Sequence, residues 1–200
     1  QADPKRYRTP DGWAAFDSRK SIIEIKGQPP ETITLQWSVN GPILPQDMFD
    51  LKSVTPQGHA MALAWTGLDP ADTTMSSAIA LMQAHDIPAA VKAGEMQIAP
   101  ALMVTLADHD HVGMALFGAL PARNAAKQGQ GRLPSLGWRV ENRWSGRLPY
   151  ADNPRFLDPA GGIVGATNNK IIDRPFPNHV SFDWGDSQRI QRWTKLMQER

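Results

Sequence analysis

The chain has 200 residues, of which 41% are hydrophobic, and this is enough to bury the core of a single domain. Its 21 Lys and Arg balance 20 Asp and Glu, which argues against a nucleic-acid-binding protein and against an acidic disordered tail. The lack of cysteine excludes disulfides, cysteine-ligated zinc sites and a cysteine nucleophile. No apolar run approaches the roughly 18 residues of a membrane helix, so no membrane partner is expected.

Alternating apolar residues predict three strands in the first third of the chain. Residues 1–20 are polar and are expected to be extended or to form a loop, whereas residues 21–26 are expected to form a strand. In residues 32–39 every second side chain is apolar, which is typical of a half-buried strand. The loop between these two strands has the length of a hairpin connection. A third strand is predicted over residues 59–65.

Helical spacing begins in the middle of the chain. Residues 75–84 place apolar side chains on one face of a helix. A second, short helix is expected to begin near Asp86 and to end at Gly94. Residues 102–106 and 112–117 are then expected to form a tight hairpin. The apolar residues on the first helix face are Met75, Ile79 and Met82.

The last part of the chain is expected to be mostly loop over residues 118–178, which contain many prolines and glycines. Residues 186–198 place Ile190, Trp193 and Met197 on one helical face. The order of the elements predicts an α+β fold with mostly antiparallel sheet and a few helices, in a single domain that spans the whole chain.

The run Asp-His-Asp-His at residues 108–111 could form a metal cluster, because alternate side chains of a strand share a face. Zinc and iron sites need further ligands, and no matching spacing is visible elsewhere in the sequence. Asp and His are also ordinary residues at the tip of a hairpin, and we interpret the run as such a turn.

A second pattern interleaves arginines with aromatic residues between residues 138 and 155. Such residues could stack on nucleic-acid bases. Because the net charge is only +1, we expect no nucleic-acid partner and favour arginines that pack on aromatic rings and bond loop carbonyls. The residues are Arg139, Arg143, Arg147, Arg155, Trp138, Trp144 and Tyr150.

Asn168 and Asn169 follow a glycine-rich run at residues 161–165. An asparagine NH₂ group is a neutral donor suited to stabilising a tetrahedral oxyanion, and small residues would let a substrate approach it. A pair of asparagines can equally serve a turn by bonding backbone groups. The sequence contains no phosphate-binding loop and no Gly-x-Ser-x-Gly motif.

Several short motifs occur in a specific order over about residues 20–195. They are Val39-Asn40-Gly41-Pro42, Ala107-Asp108, Gly118-Ala-Leu-Pro121-Ala-Arg123, Trp144-Ser-Gly146-Arg-Leu-Pro149, Asn153-Pro154, Asn168-Asn169 and Ser187-Gln-Arg189-Ile190. In this order they resemble the penicillin acylase (penicillin amidase) family of N-terminal-nucleophile hydrolases. The sequence departs from the family at Asn40, where a His is usual, and at Asp110-His111, which replace a Gly-Asn pair.

The resemblance implies that the chain is part of an αββα sandwich and of an amidohydrolase that cleaves the acyl amide bond of N-acylated amines. It assigns Asn168 to the oxyanion hole and makes Arg189 a nearby active-site arginine, although Arg189 could also form a helix-end ion pair. The implied substrates are small acylated amines, namely β-lactams, acyl-homoserine lactones or a related amide. No cofactor is expected; some members bind a structural calcium, whose acidic ligands have no match in this sequence.

In this family the nucleophile is an N-terminal Ser whose own α-amino group acts as the base. Residue 1 is Gln1, so the resemblance implies an internal fragment of the β subunit that is inactive without the remaining acylase chains. We also expect a periplasmic or secreted location, although the chain has no signal peptide, and self-association through apolar surface. The alternative is a non-catalytic α+β binding or scaffold module related to acylases.

Overall fold

The computed structural model describes residue 3 and residues 5–199 of the chain, and Gln1 lies outside the described residues. The described part forms short antiparallel sheets with four α-helices, so the predicted α+β class is confirmed. None of the helices in this part has the length and apolar character that spanning a bilayer requires.

The first sheet is a hairpin of β1 (Arg6–Thr9) and β2 (Gly12–Ala15). Of the two expected alternatives, extended chain or loop, the extended one is found over most of these residues, and the pairing into a hairpin was not predicted. A hairpin signal was present, because Pro10-Asp11-Gly12 is a typical turn sequence and Gly12 has a φ of +127°.

The second sheet consists of β3 (Asp17–Ile23), β4 (Glu31–Ser38) and β5 (Gly41–Pro42). The predicted strand at residues 32–39 is confirmed, whereas the strand before it starts four residues earlier than expected. The first residues of β3 are polar. The length of β3 is determined by its pairing with β4 rather than by its own apolar residues.

The prediction of a strand at residues 59–65 was wrong. The segment is extended but makes only one isolated bridge, between Ala62 and Ile43. Pro42 and Pro45 flank the partner residue, and proline has no N–H to continue a ladder.

The helical segments follow the prediction closely. After a single turn, α1 (Leu51–Val54), the chain forms α2 (Thr74–Met82) and α3 (Ile87–Ala93). The Asp86 side chain accepts a hydrogen bond of 2.7 Å from the N–H of Ala89, which caps α3 as its sequence predicts.

The predicted hairpin is confirmed as β6 (Leu102–Ala107) and β7 (Val112–Phe117), and β10 (Arg155–Leu157) pairs with β7 on its other side. The segment expected to be loop also contains β8 (Pro121–Arg123), which pairs with β9 (Trp144–Arg147). The last helix, α4 (Gln188–Gln198), agrees with the prediction.

The core lies where α3 packs on β7. β7 is buried on both faces, and Ala115 is 0% exposed. The buried apolar residues are Ile87, Ala90, Ala93, Ile98, Met114, Ala115, Leu116, Phe117 and Leu120.

The buried face of α2 differs from the expected apolar stripe. Met75, Ile79 and Met82 are 75%, 55% and 87% exposed, whereas Ser77 is 2% exposed and donates to the carbonyl of Ala93. Small side chains face α3 because they allow the two helices to approach closely, which leaves the large residues outside. This exposed stripe is an apolar surface of the kind that motivated the expectation of self-association, which stays a prediction.

Candidate functional site

Asn168 and Arg189 lie in direct contact, although 21 residues separate them in the chain. Arg189 sits in the first turn of α4 and donates from Nη2 to Asn168 Oδ1 at 2.8 Å and to the Thr167 carbonyl at 2.7 Å. The helix-end ion pair considered for Arg189 does not occur among the described residues. Arg189 instead connects the helix to the segment that carries the asparagine pair.

This contact fixes the orientation of the Asn168 amide. A guanidinium has only donors, so the amide oxygen must face Arg189 and the NH₂ group must point elsewhere. The NH₂ group of Asn168 has no partner in the part of the chain that the structure describes, and the residue is exposed. Asn168 therefore offers two free N–H donors held at a defined position.

The backbone of Asn168 is held separately from its side chain. Asn168 has a φ of +67°, a left-handed conformation that asparagine tolerates better than most residues, and its carbonyl accepts from Gly185 N–H at 2.6 Å. A Cβ on Gly185 would lie 3.0 Å from the Asn168 carbonyl oxygen. No sequence signal predicted this contact, because it depends on how the loop before α4 folds back.

α4 also packs against the segment just before Asn168. A Cβ on Gly165 would lie 2.8 Å from Cζ2 of Trp193, so the indole ring rests directly on the glycine backbone. The half-buried side of α4 includes Ile190, Trp193 and Met197, the stripe that the sequence predicts. Trp193 and Arg189 thus hold the helix against the segment at two points.

Asn169 has a different role from Asn168. Its Oδ1 accepts from the N–H of Thr167 at 2.9 Å, and its NH₂ group donates to the carbonyl of Lys170 at 3.1 Å. The turn role considered for the pair therefore belongs to Asn169, and Asn168 retains its free donors.

The Asp-His-Asp-His run lies at the tip of the β6–β7 hairpin, as interpreted from the sequence. Asp108 accepts from the N–H of Ile87 at 3.0 Å and from that of His111 at 2.8 Å, so it closes the turn and joins it to α3. These backbone donors lower the pKa of the Asp108 carboxyl group. Within residues 5–199, no group of three or more His, Cys, Asp or Glu side chains could hold a metal ion.

His111 extends this turn to the end of β10. Its Nδ1 lies 2.7 Å from Oδ2 of Asp158, and this hydrogen bond raises the pKa of His111, with smaller contributions from the charges of Asp108 and Asp110. A raised folded-state pKa means that the stabilisation is complete below the unfolded value of 6.5 and is lost as pH rises through the folded value. The pair therefore stabilises the hairpin most in mildly acidic solution, below pH 6.5.

We expect the urea midpoint to fall more steeply as pH rises above 6.5 in the wild-type chain than in His111→Gln. The control is His85→Gln, since His85 is exposed and makes no side-chain hydrogen bond among the described residues. Equal pH slopes for the wild type and His111→Gln would contradict the assignment.

The interleaved arginines and aromatic residues are partly paired as expected. Arg155 lies over the ring of Tyr150, at 4.7 Å, and donates to the Tyr150 carbonyl. Trp138 is covered instead by Arg8 from β1, at 5.2 Å, and Arg147 pairs with Asp69. These pairings support the packing interpretation, and the absence of a nucleic-acid partner stays a prediction.

Comparison with known proteins adds independent information. A family model described as penicillin amidase matches residues 1–200. An acyl-homoserine lactone acylase of Pseudomonas aeruginosa is 29% identical over 198 residues, which cover 95% of this chain and 23% of that protein. A penicillin G acylase of Escherichia coli is 26% identical over 204 residues, covering 98% of this chain and 22% of that protein.

The fold is similar to that of a solved structure. A thermostable penicillin G acylase from Alcaligenes faecalis matches with a TM-score of 0.79 at 20% identity, over 99% of this chain and 34% of that chain. At this identity the match concerns the fold alone, and it confirms the expected fold class. The chain spans 23% and 22% of the length of the two relatives above.

Proposed function

Because the chain belongs to the penicillin amidase family, we propose that it supplies the oxyanion-stabilising part of an acylase that hydrolyses an acyl amide. The observation that carries the proposal is the 2.8 Å contact of Arg189 Nη2 with Asn168 Oδ1, which turns the asparagine NH₂ group outward. A fixed and otherwise unpaired donor of this kind is what a developing oxyanion requires.

The chemistry of amide hydrolysis defines the role of Asn168. When a nucleophile attacks the amide carbon, the carbonyl oxygen gains negative charge, and Nδ2 of Asn168 donates a hydrogen bond to it. This bond strengthens as the charge develops, so it lowers the barrier more than it stabilises the bound substrate. Collapse of the tetrahedral intermediate releases the amine, and water then hydrolyses the acyl-enzyme.

Arg189 supports this step without touching the substrate. The guanidinium of Arg189 keeps the oxygen of the Asn168 amide away from the oxyanion. If the amide rotated by half a turn, its NH₂ group would face the guanidinium, which has no acceptor for it. Its positive charge also polarises the amide and makes the N–H groups better donors. Arg189 is thus a positioning residue for Asn168.

The proposed nucleophile is a Ser outside these 200 residues, at the N-terminus of a mature chain. The complete protein is then an assembly of this region with the remaining acylase chains, and the 200-residue chain alone is inactive. Relatives named for acyl-homoserine lactones and for penicillin G support a small acylated amine of one of these two classes as substrate. A periplasmic or secreted location and activity without a cofactor belong to the same proposal.

Replacing Arg189 with methionine is expected to lower kcat of the complete protein about 10- to 100-fold, since a hydrogen bond to a charged group contributes roughly 1.5–3 kcal/mol. Arg189→Lys should recover part of the loss, because a lysine keeps the charge and a donor. In an Asn168→Ala background, Arg189→Met should cost little more, because the positioned group is already absent.

The matched control is Arg192→Met. Arg192 is exposed in the same helix and makes no side-chain hydrogen bond among the described residues. Steady-state kinetics on an acyl amide would distinguish the two positions. Equal losses at both arginines, or losses at Arg189 and Asn168 that simply add, would reject the positioning role.

A further inference from the structure

A cleft lies apart from the asparagine pair, between the end of β8 and the loop that precedes α4. It has a volume of about 300 Å³, and its walls include Arg123, Arg132, His179 and Phe182. Arg123 is the last residue of β8, and Arg132 follows the tight turn at residues 128–131. Sequence reasoning gave neither Arg123 nor His179 a ligand-binding role.

Two polar atoms in this cleft are buried without partners. Nε of Arg123 and Nδ1 of His179 have no hydrogen-bond partner among the residues that the structure describes. His179 is only 5% exposed. Buried polar groups are nearly always hydrogen-bonded, and an unpaired buried donor costs free energy, so two of them in one cleft indicate a missing acceptor.

The cleft also carries uncompensated positive charge. Arg123 makes no ion pair in the described part of the chain, and burial lowers the pKa of its guanidinium. Burial likewise lowers the pKa of His179, and the nearby charge of Arg123 lowers it further. The charge of Arg123 also contributes, after burial, to a lowered pKa of Lys127.

Aromatic groups pack around the imidazole, and both unpaired atoms are closed to solvent, so a ligand reaches them only when a lining side chain shifts. The imidazole of His179 is stacked on Phe182 at 4.1 Å and lies 5.4 Å from Phe176, and the guanidinium of Arg132 covers Phe182 at 4.9 Å. A Cβ on Gly131 would lie 3.2 Å from Nε of Arg123, so a side chain there would crowd the guanidinium. The stack fixes the imidazole, and the glycine leaves space beside the arginine.

We propose that this cleft binds a carboxylate, which accepts hydrogen bonds from the guanidinium of Arg123 and from Nδ1–H of His179. A planar carboxylate matches the fork of an arginine, and a neutral imidazole donates from one ring nitrogen. Arg132 adds a second cation at the exposed rim. Asp183 is the one acid among the lining residues; it is exposed, so water screens its charge.

The carboxylate can belong to a small free acid or to an Asp or Glu side chain of another polypeptide segment. Both present the same group to Arg123 and His179, and the probes below separate them. The proposal does not depend on the role of Asn168, because the two sites share no side chain.

The test is a titration of the 200-residue chain with sodium acetate, followed through the ring resonances of its five histidines. The His179 resonances, identified by their loss in His179→Gln, are expected to shift and saturate with a Kd on the order of 1 mM. Sodium chloride at equal ionic strength should not reproduce the shift. Arg123→Gln should abolish saturation, and Arg132→Gln should weaken binding several-fold.

The matched control is Arg19→Gln, because Arg19 also lies over an aromatic ring, that of Trp37 at 5.9 Å, but does not line the cleft. A capped peptide carrying one Glu, compared with its Gln counterpart, separates the sources. Tighter saturation by the Glu peptide than by acetate identifies a polypeptide carboxylate, and the reverse order identifies a free acid. The same response to chloride as to acetate, or an unchanged titration in Arg123→Gln, would overturn the proposal.

Discussion

If Asn168 is the proposed oxyanion donor, Asn168→Ala is expected to lower kcat of the complete protein by about 10²–10³, with a smaller effect on KM, because removing one such donor costs roughly 2.7–4 kcal/mol in the transition state. The substitution removes the hydrogen bond to Arg189 and places an alanine at a φ of +67°, so a modest loss of stability is expected and kcat is compared under conditions in which the variant stays folded. The measurement is steady-state hydrolysis of an acyl-homoserine lactone and of a penicillin by the full-length protein.

Two further variants make this result specific. Asn168→Asp keeps the shape and the contact with Arg189 but replaces the donor NH₂ group with an acceptor, so it should reduce kcat at least as strongly as alanine. Asn178→Ala is the control, because Asn178 is exposed and its side chain makes no hydrogen bond among the described residues. A protein that hydrolyses amides equally well with and without Asn168 would reject the oxyanion assignment but would support the proposed hydrolase activity.

Phe117→Ala is expected to destabilise the chain by about 3–5 kcal/mol, because it leaves a cavity in the core. Phe117 ends β7 and is 3% exposed. Its ring lies against the turn after α3, where a Cβ on Gly94 would come within 2.6 Å of the ring carbon Cδ1. A loss of this size is a large share of the roughly 5–15 kcal/mol that stabilises a typical domain.

The control for this prediction is Phe49→Ala, since Phe49 is 84% exposed. Urea unfolding followed by circular dichroism should show a much lower midpoint for Phe117→Ala and a nearly unchanged midpoint for Phe49→Ala. Similar midpoints for the two variants would mean that the contact between α3 and β7 is not the centre of the core.

The elements that the sequence predicted well are those with strong local signals. The β6–β7 hairpin combines two apolar runs with a polar turn, and α3 begins directly after Asp86, whose carboxylate caps it. The hairpin of β1 and β2 carried an equally clear signal in Pro10-Asp11-Gly12, but its polar strands concealed it. Local chemistry determines such elements because the groups involved are close in the chain.

The errors arose where distant contacts override a local pattern. The apolar stripe of α2 predicted the wrong buried face, because the close approach of α3 selects small residues such as Ser77. The segment at residues 59–65 was expected to be a strand, but it pairs only through the bridge of Ala62 with Ile43. Pro42 and Pro45 lie on either side of Ile43 and have no N–H with which to extend the ladder. In both cases the neighbouring segment decided the outcome.

The sequence alone was sufficient to determine the fold class and the family, since these depend on residue types and their order, and it singled out the asparagine pair as a candidate site. Only the tertiary structure decided which member of the pair keeps free donors, because the fold brings Arg189 to the oxygen of Asn168 and leaves Asn169 in its own turn. It likewise brought Arg123 and His179 to one cleft. Hydrogen bonds act over about 3 Å, and no local pattern records which distant donors and acceptors the folded chain places within that distance.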